Sequence, residues 1–177
     1  MRTPILAFLA LALVAGCSKD KQSETAELAS GAGKPAALTG AAAVEAMKAA
    51  GAALLAKPEH GADHVEVQHL LIAFKGAERA RATRSKAEAE VLAAELYARV
   101  TSGEELDGLV RQYTDDNYPG VYAMSASAPT MAGEFPRAGM AAAFGDTGWR
   151  LAVGEVGIAL YDPAKSPFGW HIIQRTR

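Results

Sequence analysis

Two histidines stand in apolar, strand-like segments near the two ends of the stretch from position 65 to position 177. His171 lies in Phe168–Ile173, whose aromatic and β-branched residues predict a strand, and His69 lies in an earlier run of the same kind. Alternation along a strand places His171 on the face opposite Trp170 and Ile172. The pattern predicts one sheet that brings two imidazoles together. Two unrelated, part-buried core histidines are the alternative.

The segments around these histidines predict one domain over positions 65–177. Its longest helix opens with Ser85 and Glu88, which have the spacing of a capping box, and Gly103 ends it. The predicted strands are Val65–Ala73, Val121–Met124, Ile158–Tyr161 and Phe168–Ile173. The predicted helices after the first are Glu104–Tyr113 and Gly139–Leu151. Ser125–Pro136 is predicted to be a loop. Strands and helices mixed in this order make an α+β domain.

The same region carries seven short motifs, each weak alone. They are His69–Ile72, Thr83–Ala89, Ser102–Leu106, Tyr113–Asp116, Gly139–Met140 with Phe144, Gly154–Val156 and Gly169–Ile173. In this order they resemble the parvulin family of peptidyl-prolyl isomerases, from His69 to Arg177. The resemblance implies a parvulin-like four-stranded antiparallel sheet surrounded by about four helices. It also implies peptidyl-prolyl cis–trans isomerase activity on proline-containing polypeptides, with no cofactor.

The resemblance assigns roles to five side chains. His69, Asp116 and His171 match the polar groups that the family places beside the substrate carbonyl, and we take them as the catalytic residues. Met140 and Phe144 match the floor and wall of the seat for the proline ring, and their spacing of four puts them on one helix face. Without the histidines, both would be read as ordinary core residues.

The chain departs from the family pattern after Asp116. Tyr122 stands where a leucine usually lines the proline pocket, and an insertion over 125–138 follows. An insertion of this length beside the site is expected to act as a lid, to extend the peptide groove, or to narrow the pocket. A smaller expansion precedes the last strand, where Ser166 and Phe168 are expected to flank the substrate.

Two further clusters are more typical of structural residues than of binding sites. In one branch of the family, basic residues in the loop that corresponds to Lys75–Arg84 bind a phosphate before the proline. Here Glu78 and alanines interrupt the basic residues, which favours a solvated surface loop. His60 and His64 have helical metal-ligand spacing, but Gly61 lies between them and Pro58 precedes them, so linker residues are favoured and no metal site is predicted.

The first residues predict export and anchoring. Met1–Gly16 has a basic start and an apolar run too short to span a bilayer. Leu13–Cys17 resembles the lipobox of bacterial lipoproteins, in which the leader is removed and the cysteine is lipidated. We therefore predict a signal peptide over 1–16, a lipidated Cys17 with a disordered linker to position 38, and an Ala-rich helix and linker over 39–64. An ordinary secretory leader is the alternative.

These features define the expected setting of the domain. Ser18 after the cysteine predicts an outer-membrane anchor that faces the periplasm, and the net charge of −2 argues against a nucleic-acid partner. The Ala-rich helix either packs on the domain or acts as a spacer.

Three functions remain open from the sequence. The first is an isomerase that assists folding of exported proteins in the cell envelope. The second is a low-activity peptide-binding chaperone or assembly factor that uses the same groove. The third is a domain that only holds partners in place.

Overall fold

The computed structural model describes residues 37–177, which form a mixed sheet with helices on both faces. The predicted signal peptide, Cys17 and most of the predicted linker lie outside the described residues. The strands are β1 (His64–Ile72), β2 (Val121–Ser125), β3 (Glu134–Pro136), β4 (Val156–Ala159) and β5 (Trp170–Arg175), and the helices are α1 (Gly40–Leu55), α2 (Lys86–Thr101), α3 (Leu106–Tyr113) and α4 (Ala142–Arg150), with a 3-10 turn at Arg137–Gly139.

The sheet has five strands in the order β3-β2-β1-β5-β4. β1 lies at its centre and pairs antiparallel with β2 and β5, and β4 pairs antiparallel with β5. The first and last strands of the domain are therefore neighbours, as the positions of His69 and His171 require. The α+β fold and its four helices confirm the expected architecture.

The fifth strand is a difference from the expected four. The three residues of β3 lie in the segment predicted to be a loop, and they pair in parallel with β2 at the edge of the sheet. A strand this short, which ends in proline, has too few residues to produce a recognisable alternation of apolar and polar residues.

Each face of the sheet has its own buried core. On one face, α1, α2 and α3 cover Leu70 and Ile72 of β1 together with Trp170 and Ile172 of β5. On the other face, α4 covers Val65, Val67 and Ile173 with Phe144 and Trp149, among other buried residues. Because successive strand residues point to opposite faces, His69 and His171 project to the α4 side.

The termini of α2 follow the sequence signals. The Ser85 hydroxyl accepts a hydrogen bond from the Glu88 backbone N–H, and the Glu88 carboxylate accepts one from the Ser85 N–H, which completes the capping box. Gly103 follows the helix with a φ of +90°, a conformation that glycine adopts without strain.

The Ala-rich helix packs on the domain. Ala43, Val44 and Met47 of α1 are buried in the same core as α2, and Leu54 is buried in the other core. Of the two possibilities left by the sequence, the packed helix is therefore the one observed. Within residues 37–177, no helix combines the length and the apolar character needed to cross a membrane.

Candidate active site

The two histidines and Asp116 meet at the centre of the α4 face. His69 Nδ1 lies 3.2 Å from His171 Nδ1, and His69 Nε2 lies 3.1 Å from a carboxylate oxygen of Asp116. The two imidazole rings are stacked, with centroids 5.3 Å apart. Because an ionised carboxylate can only accept, His69 Nε2 carries the proton in the bond to Asp116. One of the two facing Nδ1 atoms then donates to the other.

The strand register and two close backbone approaches fix this arrangement. His69 pairs with Ile173 and His171 with Leu71, so the two histidines are diagonal neighbours on adjacent strands. The His69 backbone N–H donates to the Gly120 carbonyl at 2.8 Å, and a Cβ on Gly120 would lie 2.4 Å from the His69 carbonyl oxygen. A Cβ on Gly169, whose φ is +144°, would lie 2.2 Å from the Ile72 carbonyl oxygen. Only glycine fits at either position.

Asp116 is held as an anion. The hydrogen bond from His69, assisted by the Asn117 backbone N–H and the Tyr122 hydroxyl, lowers the pKa of Asp116 far below its usual range. The Tyr122 hydroxyl donates to the same oxygen as His69 does, at 2.8 Å. Burial and this bond to Asp116 raise the pKa of Tyr122 to about 12. The Asp116 carboxylate therefore stays ionised throughout the physiological range of pH.

His171 is the most enclosed member of the group. It is 4 % exposed, and burial, together with the neighbouring His69, lowers its pKa well below the usual value for histidine. Its Nε2 is buried without a hydrogen-bond partner among residues 37–177. An imidazole in this position stays neutral and shapes the site through its hydrogen bond to His69.

A cleft of about 310 Å³, lined by both polar and apolar side chains, opens beside the polar group. Phe144 forms one wall, with its ring edge-on to His69 at 5.1 Å and to His171 at 5.3 Å between centroids. Met140 and Tyr122 line the same cleft. Met140 precedes α4 in an extended conformation, so the expectation that one helix face carries both Met140 and Phe144 is wrong, although both side chains line the cleft.

Of the two residues that the sequence placed beside the substrate, Phe168 lines the cleft and Ser166 does not. Phe168 lines the cleft, and the Arg79 guanidinium lies 5.7 Å from the centroid of its ring. Ser166 is fully buried, and its hydroxyl donates to the Gly169 carbonyl at 3.0 Å, so it supports the turn before β5 and does not line the cleft. Of the residues expected at the catalytic and substrate-binding site, the structure thus brings all except Ser166 together.

Sequence reasoning missed two supports of the cleft. Arg79 was included in a solvated loop, and its side chain is indeed 82 % exposed, yet it lies at the mouth of the cleft. No role was predicted for Asp115. Its carboxylate accepts from the Ala73 backbone N–H at 2.8 Å and from the Arg84 guanidinium, which ties the end of β1 to the loop that carries Arg79. Two consecutive aspartates at a helix end gave no signal that one is structural.

Comparison with known proteins identifies this arrangement. The family model described as the PPIC-type PPIase domain matches residues 54–177. The chain belongs to the PPIC-type peptidyl-prolyl isomerases. Among solved structures, the peptidyl-prolyl isomerase ESS1 from Candida albicans is similar, with 25 % sequence identity and a TM-score of 0.52. That match covers 75 % of this chain and 74 % of the other. A search of curated proteins finds no match to the chain.

The family confirms the parvulin resemblance and the activity that it implied. A PPIC-type isomerase interconverts the cis and trans forms of the peptide bond before proline, and its substrates are proline-containing peptides. The barrier to this rotation is about 20 kcal/mol and arises from amide resonance. The reaction breaks no covalent bond, so the enzyme needs a site that fits the twisted amide better than either planar form.

Proposed function

We propose that the chain is a lipid-anchored isomerase of the cell envelope that speeds folding of exported, proline-containing polypeptides. In this proposal, Met140 and Phe144 hold the proline ring, and the carbonyl before the proline lies near Asp116. The observation that carries the proposal is that the Asp116 carboxylate and the linked histidines border an open cleft that Phe144 and Met140 also line.

The electrostatics of the site favour the twisted amide. The planar amide carries a partial negative charge on its carbonyl oxygen because of resonance, and twisting reduces that charge. An anionic Asp116 near this oxygen opposes the planar form more than the twisted one. Replacement of water by the apolar wall of Phe144 acts in the same direction, since water stabilises the charge-separated planar form. His69 holds Asp116 in position and in its charged state, and His171 in turn holds His69.

Isomerisation of proline-containing peptides by the purified protein tests this proposal. We expect cis-to-trans conversion to be much faster than the uncatalysed reaction, which takes on the order of tens to hundreds of seconds. Peptide binding measured in the same preparation separates the alternatives. Binding without turnover would indicate the chaperone or assembly factor, and neither binding nor turnover would indicate a domain that only holds partners.

One observation favours the chaperone alternative. The Tyr122 hydroxyl donates to a carboxylate oxygen of Asp116, and the Tyr122 ring lies 5.8 Å from the Phe144 ring, at a position where a leucine is usual in the family. If this ring narrows the cleft and its hydroxyl competes for the carboxylate, the site would hold a peptide and turn it over slowly. The same kinetic measurement therefore decides between a fast and a slow enzyme.

The anchoring is supported by the sequence around Cys17. Labelling of the protein with a fatty-acid analogue in a bacterial host tests it directly. We expect label on the natural chain and none on Cys17→Ser, with the natural chain in the membrane fraction. Separation of inner from outer membranes then tests the location that Ser18 suggests. An unlabelled, freely secreted product would show that the leader is an ordinary signal peptide.

A further inference from the structure

The sheet face that carries the cleft continues beyond it onto β3. Residues paired across neighbouring strands share a face, and Val67 pairs with Tyr122 while Met124 pairs with Phe135. His69, two residues from Val67, lies on this same face. The face therefore runs from His69 on β1, across Tyr122 on β2, to Phe135 on β3, which is part of the insertion.

Three aromatic rings form a continuous row along this face. Tyr122 lies 5.8 Å from Phe144 on one side and 5.8 Å from Phe135 on the other, measured between ring centroids. Phe144 is 2 % exposed at the inner end of the row, whereas Phe135 is 48 % exposed at the outer end. The apolar surface of the cleft thus extends outward to a half-exposed ring.

The insertion that presents Phe135 is firmly held on one side by the neighbouring residue, Glu134. The side chain of Glu134 is 1 % exposed, and it accepts a hydrogen bond from His64 Nδ1 at 2.7 Å. It also accepts from the backbone N–H groups of Thr130 and Met131 at 3.2 Å and 3.1 Å. One buried carboxylate therefore closes the loop before β3 and ties it to β1.

The insertion is also held on the other side of Phe135. The Arg137 guanidinium forms a bidentate pair with Glu59, with both distances 2.7 Å, and a further bond to Asp146 on α4 at 2.6 Å. It also lies over the Trp149 ring, 4.8 Å from the centroid. The backbone on both sides of Phe135 is therefore held in place, while its ring stays about half exposed. The entropy cost of ordering this segment is not offset by burial of the ring.

We propose that Phe135, with the adjoining edge of Tyr122, forms an apolar subsite for an aromatic or branched aliphatic side chain of the polypeptide substrate. This rests on the proposed use of the cleft as the seat for proline. The row continues from that cleft without a break, so one extended chain reaches both. The two centroid separations put Phe135 at most about 12 Å from Phe144, and an extended chain advances about 3.3 Å per residue. The apolar side chain then lies within about four residues of the proline.

The test compares two sets of proline-containing peptides, one with phenylalanine or leucine at positions flanking the proline and one with alanine there. Both kcat/KM and Kd are measured with the full chain. We expect the natural protein to prefer the apolar set by roughly three- to tenfold, as burial of part of a ring predicts. The preference should fall to near one in Phe135→Ala and return in large part in Phe135→Leu. Val153→Ala is the matched control, since Val153 is 64 % exposed and does not line the cleft.

Each outcome either supports the subsite or overturns it. An equal preference in the natural protein and in Phe135→Ala overturns it, as does a preference that Val153→Ala also removes. Self-association that Phe135→Ala abolishes would assign the ring to a second copy of the chain and overturn the subsite. If removal of residues 1–36 creates the preference, the ring is covered by that segment and the subsite is likewise overturned. A preference in Kd without turnover supports the subsite and rejects the isomerase proposal alone.

Discussion

At the residue scale, the position of Tyr122 changes the chemistry of Asp116. The family usually has an apolar side chain there, and here a hydroxyl donates to the oxygen that His69 also contacts. A hydrogen bond to the charged form of an acid lowers its pKa. The aromatic ring fulfils the expected role of lining the cleft, and the hydroxyl adds a function that the sequence alone did not reveal.

This contact predicts the effect of Tyr122→Phe. Removal of the hydroxyl takes one donor from the Asp116 carboxylate, so the pKa of Asp116 should rise while the cleft keeps its shape. The titration of the Asp116 carboxyl, followed by NMR, measures this shift. An unchanged titration in Tyr122→Phe would show that His69 and the Asn117 backbone N–H keep the carboxylate charged without Tyr122.

The catalytic assignment predicts a loss of turnover in Asp116→Ala and Phe144→Ala. We expect kcat/KM for a proline-containing peptide to fall roughly tenfold or more in each, since one loses the charge and the other the apolar wall. Phe144 is part of a buried core, so thermal unfolding must accompany the measurement, and Phe144→Leu provides a variant closer in volume.

A matched control for the lost charge is Glu45→Ala. Glu45 lies on α1, and its side chain is 78 % exposed. Its loss should leave kcat/KM unchanged. Natural rates in both Asp116→Ala and Phe144→Leu would remove this site from the reaction.

At the scale of elements, α1 is an integral part of the domain. Met47 is fully buried in the core that α1 shares with α2, and Leu55 at the end of the helix is 52 % exposed. We expect Met47→Ala to lower the free energy of unfolding by about 2–4 kcal/mol through loss of packing and a residual cavity. Leu55→Ala should change it by less than about 0.5 kcal/mol. Chemical denaturation measures both, and equal effects would contradict a packed α1.

The sequence predicted the long elements well and the short ones poorly. Strong local signals, such as the capping box of Ser85 and the apolar alternation around His69, correspond to α2 and β1. β4 begins at Val156, two residues before the predicted strand, and so includes Gly157. A glycine weakens the local pattern of a strand. A Cβ at Gly157 would lie 2.5 Å from a methyl group of Leu54. That glycine is required by tertiary packing, which no local pattern reports.

The site was predictable because its residues come from motifs, whereas its supports were not. His69, Asp116, His171 and Phe144 each stand in a short stretch that resembles the family. Glu134 and Arg137 lie in the insertion, and each is tied to the rest of the domain by a partner 70 or more residues away in the chain. A single sequence contains no signal for such distant pairs.

At the scale of the whole molecule, the buried His171 links folding to pH. Its pKa in the folded state lies below the ordinary value of 6.5, so the unfolded chain takes up a proton that the folded chain does not. The stability that depends on the neutral ring is complete above pH 6.5 and declines as the pH falls below it. The contribution of His171 to the slope of the unfolding free energy against pH approaches about 1.4 kcal/mol per pH unit.

Unfolding by denaturant at several values between about pH 7 and pH 5 tests this linkage, in the range above the usual carboxylate pKa values. We expect the natural protein to lose stability as the pH falls. His171→Asn, which has no titrating ring, should show a shallower slope. Parallel slopes in the two proteins would assign the pH dependence to other groups.

The place of α1 also has a practical meaning. The family match begins at residue 54, near the end of this helix, whereas the apolar residues of the helix begin at Ala43. A recombinant fragment that begins at the family boundary would lack most of α1. One side of α2 would then be an exposed apolar patch that promotes aggregation. Expression for crystallography should therefore start upstream of Thr39, even though the candidate active site lies on the opposite side of the sheet.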